Sequence, residues 1–378
     1  MEFTVSKTDL VRELSLSQGV VEKKTTIPIL SNVLLEASGD RISLTATDLE
    51  LGIRCSCPAR VKKEGAGTVP ARKLLDFVRL LPEGDITMKF LDNHWASITC
   101  GRSKTRIAGM SRESYPELPQ MPAKIADIPV KTLSSLIART QFAISMEESR
   151  FTLNGALLII RPEGLIMVAT DGHRLAFVQA GAGESGQVSQ NYRALVPRKA
   201  MAELVKLADS EGTDAVATFA GDDNHLFFQV GHRMLITRKL TGNFPDYERV
   251  LPKDHTLTAR LQKEEIRAAI ERVAQFADER SRAIRVQFTT NEVRIFSSSV
   301  EMGESEESVN SEYQGPDLEI GFNAQYLLDF LRVIAQDQVT FELKDQKSAG
   351  ELRPAGEGVI DQYRYVVMPM RIDRKSVV

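Results

Sequence analysis

A stretch reading TVPARKLLDFVRLLPEGDITMKF from Thr68 returns as LVPRKAMAELVKLADSEGTDAVATF from Leu195 and as GFNAQYLLDFLRVIAQDQVTFEL from Gly321, at spacings of 127 and 126 residues. A period that long is well beyond the roughly 20–50 residues of a solenoid unit, so each copy is expected to be a domain with its own core. The 378 residues thus divide into three, and that division constrains every later reading.

Within each copy apolar residues recur at helical spacing: Leu74, Phe77, Val78 and Leu81, then Met201, Leu204, Val205 and Ala208, then Leu327, Phe330, Leu331 and Ile334. Each copy predicts an amphipathic helix followed by a strand. A second repeat opens each third, where Val5, Leu10 and Leu14 correspond to Ile128, Leu133 and Ile137, and to Leu261, Ile266 and Ile270. It predicts a strand running into a helix. Stretches such as RISLTATDLELGIRCSC, LIMVATDGHRLAFVQA and VRIFSSSVEMGESEESVN have the period of two of strands with one buried face. The expected fold class is α+β, three similar domains, each with two helices on a mostly antiparallel sheet. Proline-rich joints, YPELPQMP at 115–122 and FPDYERVLPKD at 244–254, supply rigid, non-helical punctuation. They set the domains at residues 1–122, 123–252 and 253–378, the last with a short tail, 373–378.

Apolar residues at 42% and charged residues at 26% exclude a disordered or collagen-like chain. The longest apolar runs, such as GALLII at 155–160, fall far short of a membrane span, and MEFTVSKTDL lacks the basic start and apolar middle of a signal peptide. A cytoplasmic protein without membrane contact is expected. Cys55, Cys57 and Cys100 are too few for a disulfide framework, and Cys-x-Cys on an alternating strand, with no His/Cys cluster nearby, points to a buried pair. Neither a metal nor a cofactor is expected. The net charge of −3 gives no support to a generally basic nucleic-acid binder, so cations have to be sought locally.

They recur with the repeat. On the second helix of each third the solvent-side positions are Arg72 and Arg79, Lys199 and Lys206, and Gln325 and Arg332, pairs seven residues apart and so on one face. First helices add Arg12, Arg139 and Arg272. Asp76, Glu203 and Asp329 fall among them, which allows a merely solvated face with local ion pairs. Three aligned copies favour a concave lining that meets the phosphates of a polyanion, weakly, salt-sensitively and without reading sequence. Loops with Lys23 and Lys24, and with Arg150 and Phe151, are further candidates, although Glu147 and Glu148 oppose the second. Arg102, Lys104 and Arg106 alternate on one strand of the first third and Glu304 and Glu306 on one strand of the last. Such charged edges either prevent aggregation or form a head-to-tail contact between chains.

The segment VATDGHRL puts Asp171 and His173 beside Arg174. A hydrolase would need that pair oriented on a nucleophile or metal, and no Ser elbow, Gly-rich phosphate loop or HExxH accompanies it. Asp48 holds the equivalent place in LTATDLELGIR without a histidine, which suggests a repeated turn instead. Leu153, Leu175, Val250 and the C-terminal YVVMPM offer an apolar groove for peptides, with Met368 and Met370 as adaptable packing. Because strand faces alternate, about half of these side chains are expected to complete a core.

In this order and spacing, TATDLE, TVPARK, LNG, ATDGHRLA, VPRK, FPDYERVLP, EIGFN and VVMPMR resemble the bacterial DNA polymerase III beta subunits, the replicative sliding clamps, from Met1 to about Ile372. The resemblance implies three clamp domains per chain, a head-to-tail homodimer forming a six-domain ring, and duplex DNA in its hole. It implies a non-catalytic processivity factor that a clamp loader closes around DNA and that tethers the DNA polymerase III catalytic subunit, other polymerases and repair proteins. Tethering raises effective concentration without new chemistry. DNA contacts would fall on Lys24, Arg72, Arg150, Phe151 and Thr152, joined by Arg79, Lys199 and Lys206 of the repeated basic face. A peptide groove between the second and third domains would comprise Leu153, Thr170, Gly172, His173, Arg174, Leu175, Pro245, Arg249, Val250, Asn323, Tyr326, Val367, Met368, Pro369, Met370 and Arg371. The seam between chains would join Arg102, Lys104 and Arg106 to Phe276, Glu301, Glu304 and Glu306. A scaffold that binds peptides without enclosing DNA is the remaining alternative.

Overall fold

A computed structural model describes residues 1–21, 25–181, 183, 186–210, 212, 214–299, 302–357 and 362–371. Lys23, Lys24, Glu301 and the tail 373–378 lie outside the described residues. Each third opens as the repeat predicts, with a strand leading into a helix: Glu2–Ser6 into Lys7–Ser17, Ala126–Pro129 into Val130–Thr140, and Leu257–Gln262 into Lys263–Val273. The second helices are Ala71–Leu80, Arg198–Asp209 and Ala324–Val333. All nine positions of the opening repeat, from Val5 to Ile270, are buried.

Local chemistry explains the helix starts. The hydroxyl of Ser6 accepts the Asp9 amide at 3.1 Å, and the Asn323 side chain accepts the amides of Gln325 and Tyr326, each satisfying donors that a helix leaves open. The apolar stripes hold with two shifts. Phe77 and Val205 are only half-buried, and Leu207 takes the core position beside Leu204. Glu203, expected in solvent, is buried and salt-bridged to Lys206 at 2.7 Å.

The chain packs as two compact units, each described by itself: Met1–Ser134 with Gly186–Gln190 and Val196–Lys239, and Ser135–Ser185 with Asn191–Leu195 and Leu240–Val378. Among the described residues the first holds a five-stranded sheet, running in order Arg60–Lys63, Glu2–Ser6, Asp85–Phe90, Trp95–Cys100, Ser103–Ala108. It also holds a nine-stranded sheet in which Arg233–Arg238 pairs antiparallel with Leu51–Pro58, Ile236 opposite Gly52. Glu13 and Arg233, both buried, meet at 2.6 Å in this unit. In the second unit Arg174–Gly181 pairs with Gln362–Val367 inside an eight-stranded sheet, Arg174 opposite Val367. A four-stranded sheet there runs Gly303–Asn310, Glu292–Ser299, Ala283–Thr289, Leu318–Asn323.

Two expectations need correction. Gly164–Thr170 is buried throughout instead of alternating, because Phe244, Tyr247 and Leu251 pack with Ile166 and Val168 in one cluster. A strand covered on both faces has no reason to alternate. The second proline-rich joint is also not purely non-helical, since Tyr247–Val250 makes one helical turn.

Candidate functional site

The Asp and His lie in the turn between Gly164–Thr170 and Arg174–Gly181. Thr170 Oγ1 donates to the Arg174 carbonyl at 2.6 Å and accepts the Gly172 amide at 3.1 Å, while Asp171 Oδ1 accepts the amides of His173 and Arg174 at 2.9 and 3.1 Å. The first third builds the same turn. Thr47 Oγ1 donates to the Leu51 carbonyl at 2.9 Å and accepts the Leu49 amide at 3.0 Å, and Asp48 Oδ1 accepts the amides of Glu50 and Leu51. The residue after the Asp is left-handed in both, φ 90° at Gly172 and 78° at Leu49, a conformation that glycine adopts without strain and leucine does not. The repeated aspartate is therefore a turn former. The His173 ring is exposed and, among the described residues, makes no hydrogen bond, so the geometry a hydrolase requires is missing.

Arg174 is the hub of this region. Its guanidinium bonds Asp171 at 3.0 Å, Asp329 at 2.6 Å and the Phe142 carbonyl at 2.5 Å, and lies 4.3 Å from the Tyr326 ring centroid. Burial works against its charge, but Tyr365, Asp329 and Asp171 outweigh that and raise its pKa. At 10% side-chain exposure, Arg174 supports the surface rather than lining it. Behind it Tyr365 is fully buried, stacks on Phe330 at 5.1 Å and donates to the Tyr326 carbonyl at 2.9 Å. Phe142 carries no signal in the sequence, and Tyr365 is legible there only as the first residue of YVVMPM. The helical pattern around Asp329 allows a solvated face with local ion pairs, and only its placement opposite Arg174 reveals its role.

The remaining groove candidates gather around this hub. The Met368 amide donates to the His173 carbonyl at 2.9 Å and the Met370 amide to Gly321 at 2.8 Å, which fixes the course of the C-terminal strand past the turn. Leu153, Thr170, Leu175 and Val367 are buried, so these four complete a core and do not line the surface. Leu153 and Leu175 pack with Phe244, Tyr247 and Leu251 of the linker. Gly172, His173, Pro245, Val250 and Met368 are exposed, the last at 46%, and Tyr326, Pro369 and Met370 are half-buried. Asn323 spends its side-chain oxygen on the helix cap and its nitrogen on the Ser281 carbonyl. Arg249 is 87% exposed and, among the described residues, its side chain bonds only Asp246, and Arg371 is exposed. The region offers an apolar floor with a methionine, a histidine and a proline at its rim, and no chemistry beyond binding.

The basic positions are exposed but mostly engaged. Lys199 pairs with Asp48, Lys206 with Glu203, Arg332 with Glu271, Arg272 with Glu307, and Arg12 with Asp9 and Glu13. Arg79 donates to Ser15 Oγ at 3.1 Å. Arg150 bonds Glu147 at 2.8 Å and the Asp171 carbonyl at 2.9 Å, beside Phe151 at 72% exposure and the half-buried Thr152. Arg72 makes no ion pair among the described residues and stands exposed with Lys73. Phosphate contacts by the paired residues would therefore exchange one anion for another.

Charge also sits on two strand edges. Ser103–Ala108 ends the five-stranded sheet and Gly303–Asn310 ends the four-stranded one. Arg102, Lys104 and Arg106 are exposed, as are Glu304 and Glu306, and none of the five makes a salt bridge among the described residues. Phe276 is half-buried in a helical turn that packs on the acidic edge strand.

A possible metal cluster, His255 with Glu342 and Glu351, is already balanced by cations. Arg353 and Arg364 bond the fully buried Glu351 at 2.7 and 2.6 Å. Two guanidiniums within the donor set leave no carboxylate charge for a cation.

Comparison with known proteins decides the family. Profiles of the DNA polymerase III beta subunit match the chain in three consecutive stretches, the N-terminal domain over residues 1–119, the central domain over 127–246 and the C-terminal domain over 248–371. The chain belongs to the DNA polymerase III beta subunit family. The beta sliding clamp of Pseudomonas putida is 36% identical over 379 residues, covering 98% of this chain and 100% of that protein. That of Vibrio cholerae is 34% identical over 378 residues with the same coverage. Among solved structures, a Pseudomonas aeruginosa sliding clamp bound to griselimycin superposes with a TM-score of 0.92 at 36% identity, covering 98% of this chain and 100% of that one. As a beta subunit the chain has three clamp domains of helices on antiparallel sheets, and it is a DNA polymerase processivity factor without catalytic activity of its own. Among the described residues no helix of this beta subunit is long and apolar enough to cross a membrane.

Proposed function

We propose that two chains join head to tail into a ring of six domains that encircles duplex DNA in the cytoplasm, with domain boundaries near residues 122 and 252. The observation that carries this reading is the repetition of the sheet joints. Arg233–Arg238 pairs with Leu51–Pro58, and Gln362–Val367 pairs with Arg174–Gly181. In the repeat the counterpart of the first partner in domain one is Ser103–Ala108, and the counterpart of the second in domain three is Gly303–Asn310. Both of these lie at a sheet edge, one basic and one acidic. A third joint of the same kind closes two chains on each other head to tail, a heterologous contact made twice around the ring. Arg102, Lys104 and Arg106 then face Glu304 and Glu306, with Phe276 and Glu301 alongside.

Arg72, Arg79, Lys199 and Lys206, with Lys24 and the Arg150–Thr152 loop, supply phosphate contacts that are weak and blind to sequence, which suits sliding. The surface around His173, Pro245, Val250 and Met368 takes short linear peptides of the polymerase III catalytic subunit, the clamp loader and other polymerases or repair proteins. Sedimentation of the wild-type chain and of a Arg102→Glu, Lys104→Glu double variant tests the seam. Wild type is expected at twice the chain mass and the variant at the chain mass; a variant that remains a dimer rejects this seam.

A further inference from the structure

The joint between the first and second domains carries a cleft beside a turn like the one at the joint between the second and third. The Arg238 amide donates to the Glu50 carbonyl at 2.8 Å, matching the bond from Met368 to His173 at the other joint. Both follow a Thr-Asp turn with the same hydrogen bonds, and both lie under a linker whose first aromatic residue is buried, Tyr115 here and Phe244 there. Leu118 of the linker lies over Gly52, where a Cβ would come within 2.8 Å of its Cδ2. Between turn and linker remains an opening of about 420 Å³ lined by Leu49, Leu51, Leu118 and Ile236, with Glu50 and Glu117 among its polar residues. That volume falls within the roughly 300–1,000 Å³ of ligand pockets.

The rim differs from that of the other joint. Where Met368 and His173 stand there, Arg238 and Glu50 stand here and pair at 3.2 Å. His225 is engaged by Asp222 at 3.3 Å. Glu117 is exposed and makes no ion pair among the described residues, so the lining keeps one uncompensated negative charge beside aliphatic walls, including Leu49 at 50% exposure. We propose that this cleft is a second peptide-docking site, selective for a short segment that pairs an aliphatic side chain with an adjacent lysine or arginine. The proposal extends the peptide-binding reading of the other joint, and its test separates the two.

The test uses the full chain with labelled leucine, isoleucine and methionine methyl groups, titrated with N-acetyl-Lys-Leu-Leu-amide and with N-acetyl-Glu-Leu-Leu-amide. The lysine peptide is expected to shift the methyl signals of Leu49, Leu118 and Ile236, and the glutamate peptide to leave them in place. Glu117→Lys, a change on an exposed side chain, is expected to weaken the lysine peptide at least tenfold while the unliganded methyl spectrum stays folded. Unmoved Leu49, Leu118 and Ile236 signals at millimolar peptide, or equal shifts in wild type and Glu117→Lys, overturn the proposal. Shifts confined to Met368 and Met370 overturn it too, and leave the reading of the other joint standing.

Discussion

Arg174 shows how one side chain organises a surface that it barely touches. It ties the turn at Asp171 to the helix bearing Asp329 and to the Phe142 carbonyl. Removing it leaves two carboxylates without their counter-ion, at a cost of about 2–3 kcal/mol for charged hydrogen bonds of this kind. Arg174→Ala is therefore expected to lower the denaturation midpoint by that equivalent and to weaken peptide binding, whereas Arg249→Ala, at an exposed position, leaves stability unchanged; equal midpoints for the two variants would refute the hub. The turn itself was legible, because Thr-Asp recurs at Thr47–Asp48 and its hydrogen bonds are local. Asp329 was not, since its partner lies 155 residues away and an acid on a helix face looks the same whether solvated or paired. The cysteine pair was legible as well, since Cys55 and Cys57 sit two apart on one strand and are both buried. Burial, with Glu13 nearby, pushes the Cys57 thiol up to about 12 and raises Cys55 as well, so both stay protonated at neutral pH. A thiol-disulfide reagent at pH 8 is expected to leave both unmodified in the native protein and to label them in denaturant, as mass mapping would show.

At the level of elements, the helices were the easiest part to foresee and the sheet joints the hardest. A 3.6-residue period is written along a single segment, so the stripes at Leu74, Leu204 and Leu331 announce themselves. Pairing of Arg233–Arg238 with Leu51–Pro58 joins segments some distance apart in sequence, and neither strand encodes its partner in its own alternation. The joint is held partly by charge. Burial raises the pKa of the Glu13 carboxyl, but Arg233 and Arg12 outweigh it and leave it below the ordinary 4.5. A carboxyl depressed on folding stabilises fully above its unfolded value and loses that contribution as pH falls through the folded one. Wild type is therefore expected to lose stability as pH is lowered below about 4.5, and part of that slope vanishes in Glu13→Gln, which at pH 7 is itself less stable by about 3 kcal/mol for a broken buried pair. Parallel slopes for wild type and variant would show that this pair does not report the acid transition. The floor of the candidate groove was half legible for a related reason: alternation separates inward from outward side chains, but the linker that covers the Ile166 and Val168 face of Gly164–Thr170 can be placed only in three dimensions.

For the whole molecule, the threefold period makes a three-domain architecture legible in the sequence, because a unit of about 125 residues is too long for a solenoid repeat. What the repeat leaves open is closure, which depends on how two edge strands meet. Most of the repeated lysines and arginines already hold carboxylates, so direct DNA affinity is expected to be low and to fall steeply with salt, as counterion release dictates. Doubling the salt should release protein bound to short linear duplex while scarcely affecting protein threaded on a closed circle. Topology, not contact strength, is then the source of residence. The decisive measurement is retention on nicked circular DNA after loading, before and after one cut that linearises the circle: the account predicts persistence on the circle and loss through the ends after cutting, and equal loss from both forms would contradict it.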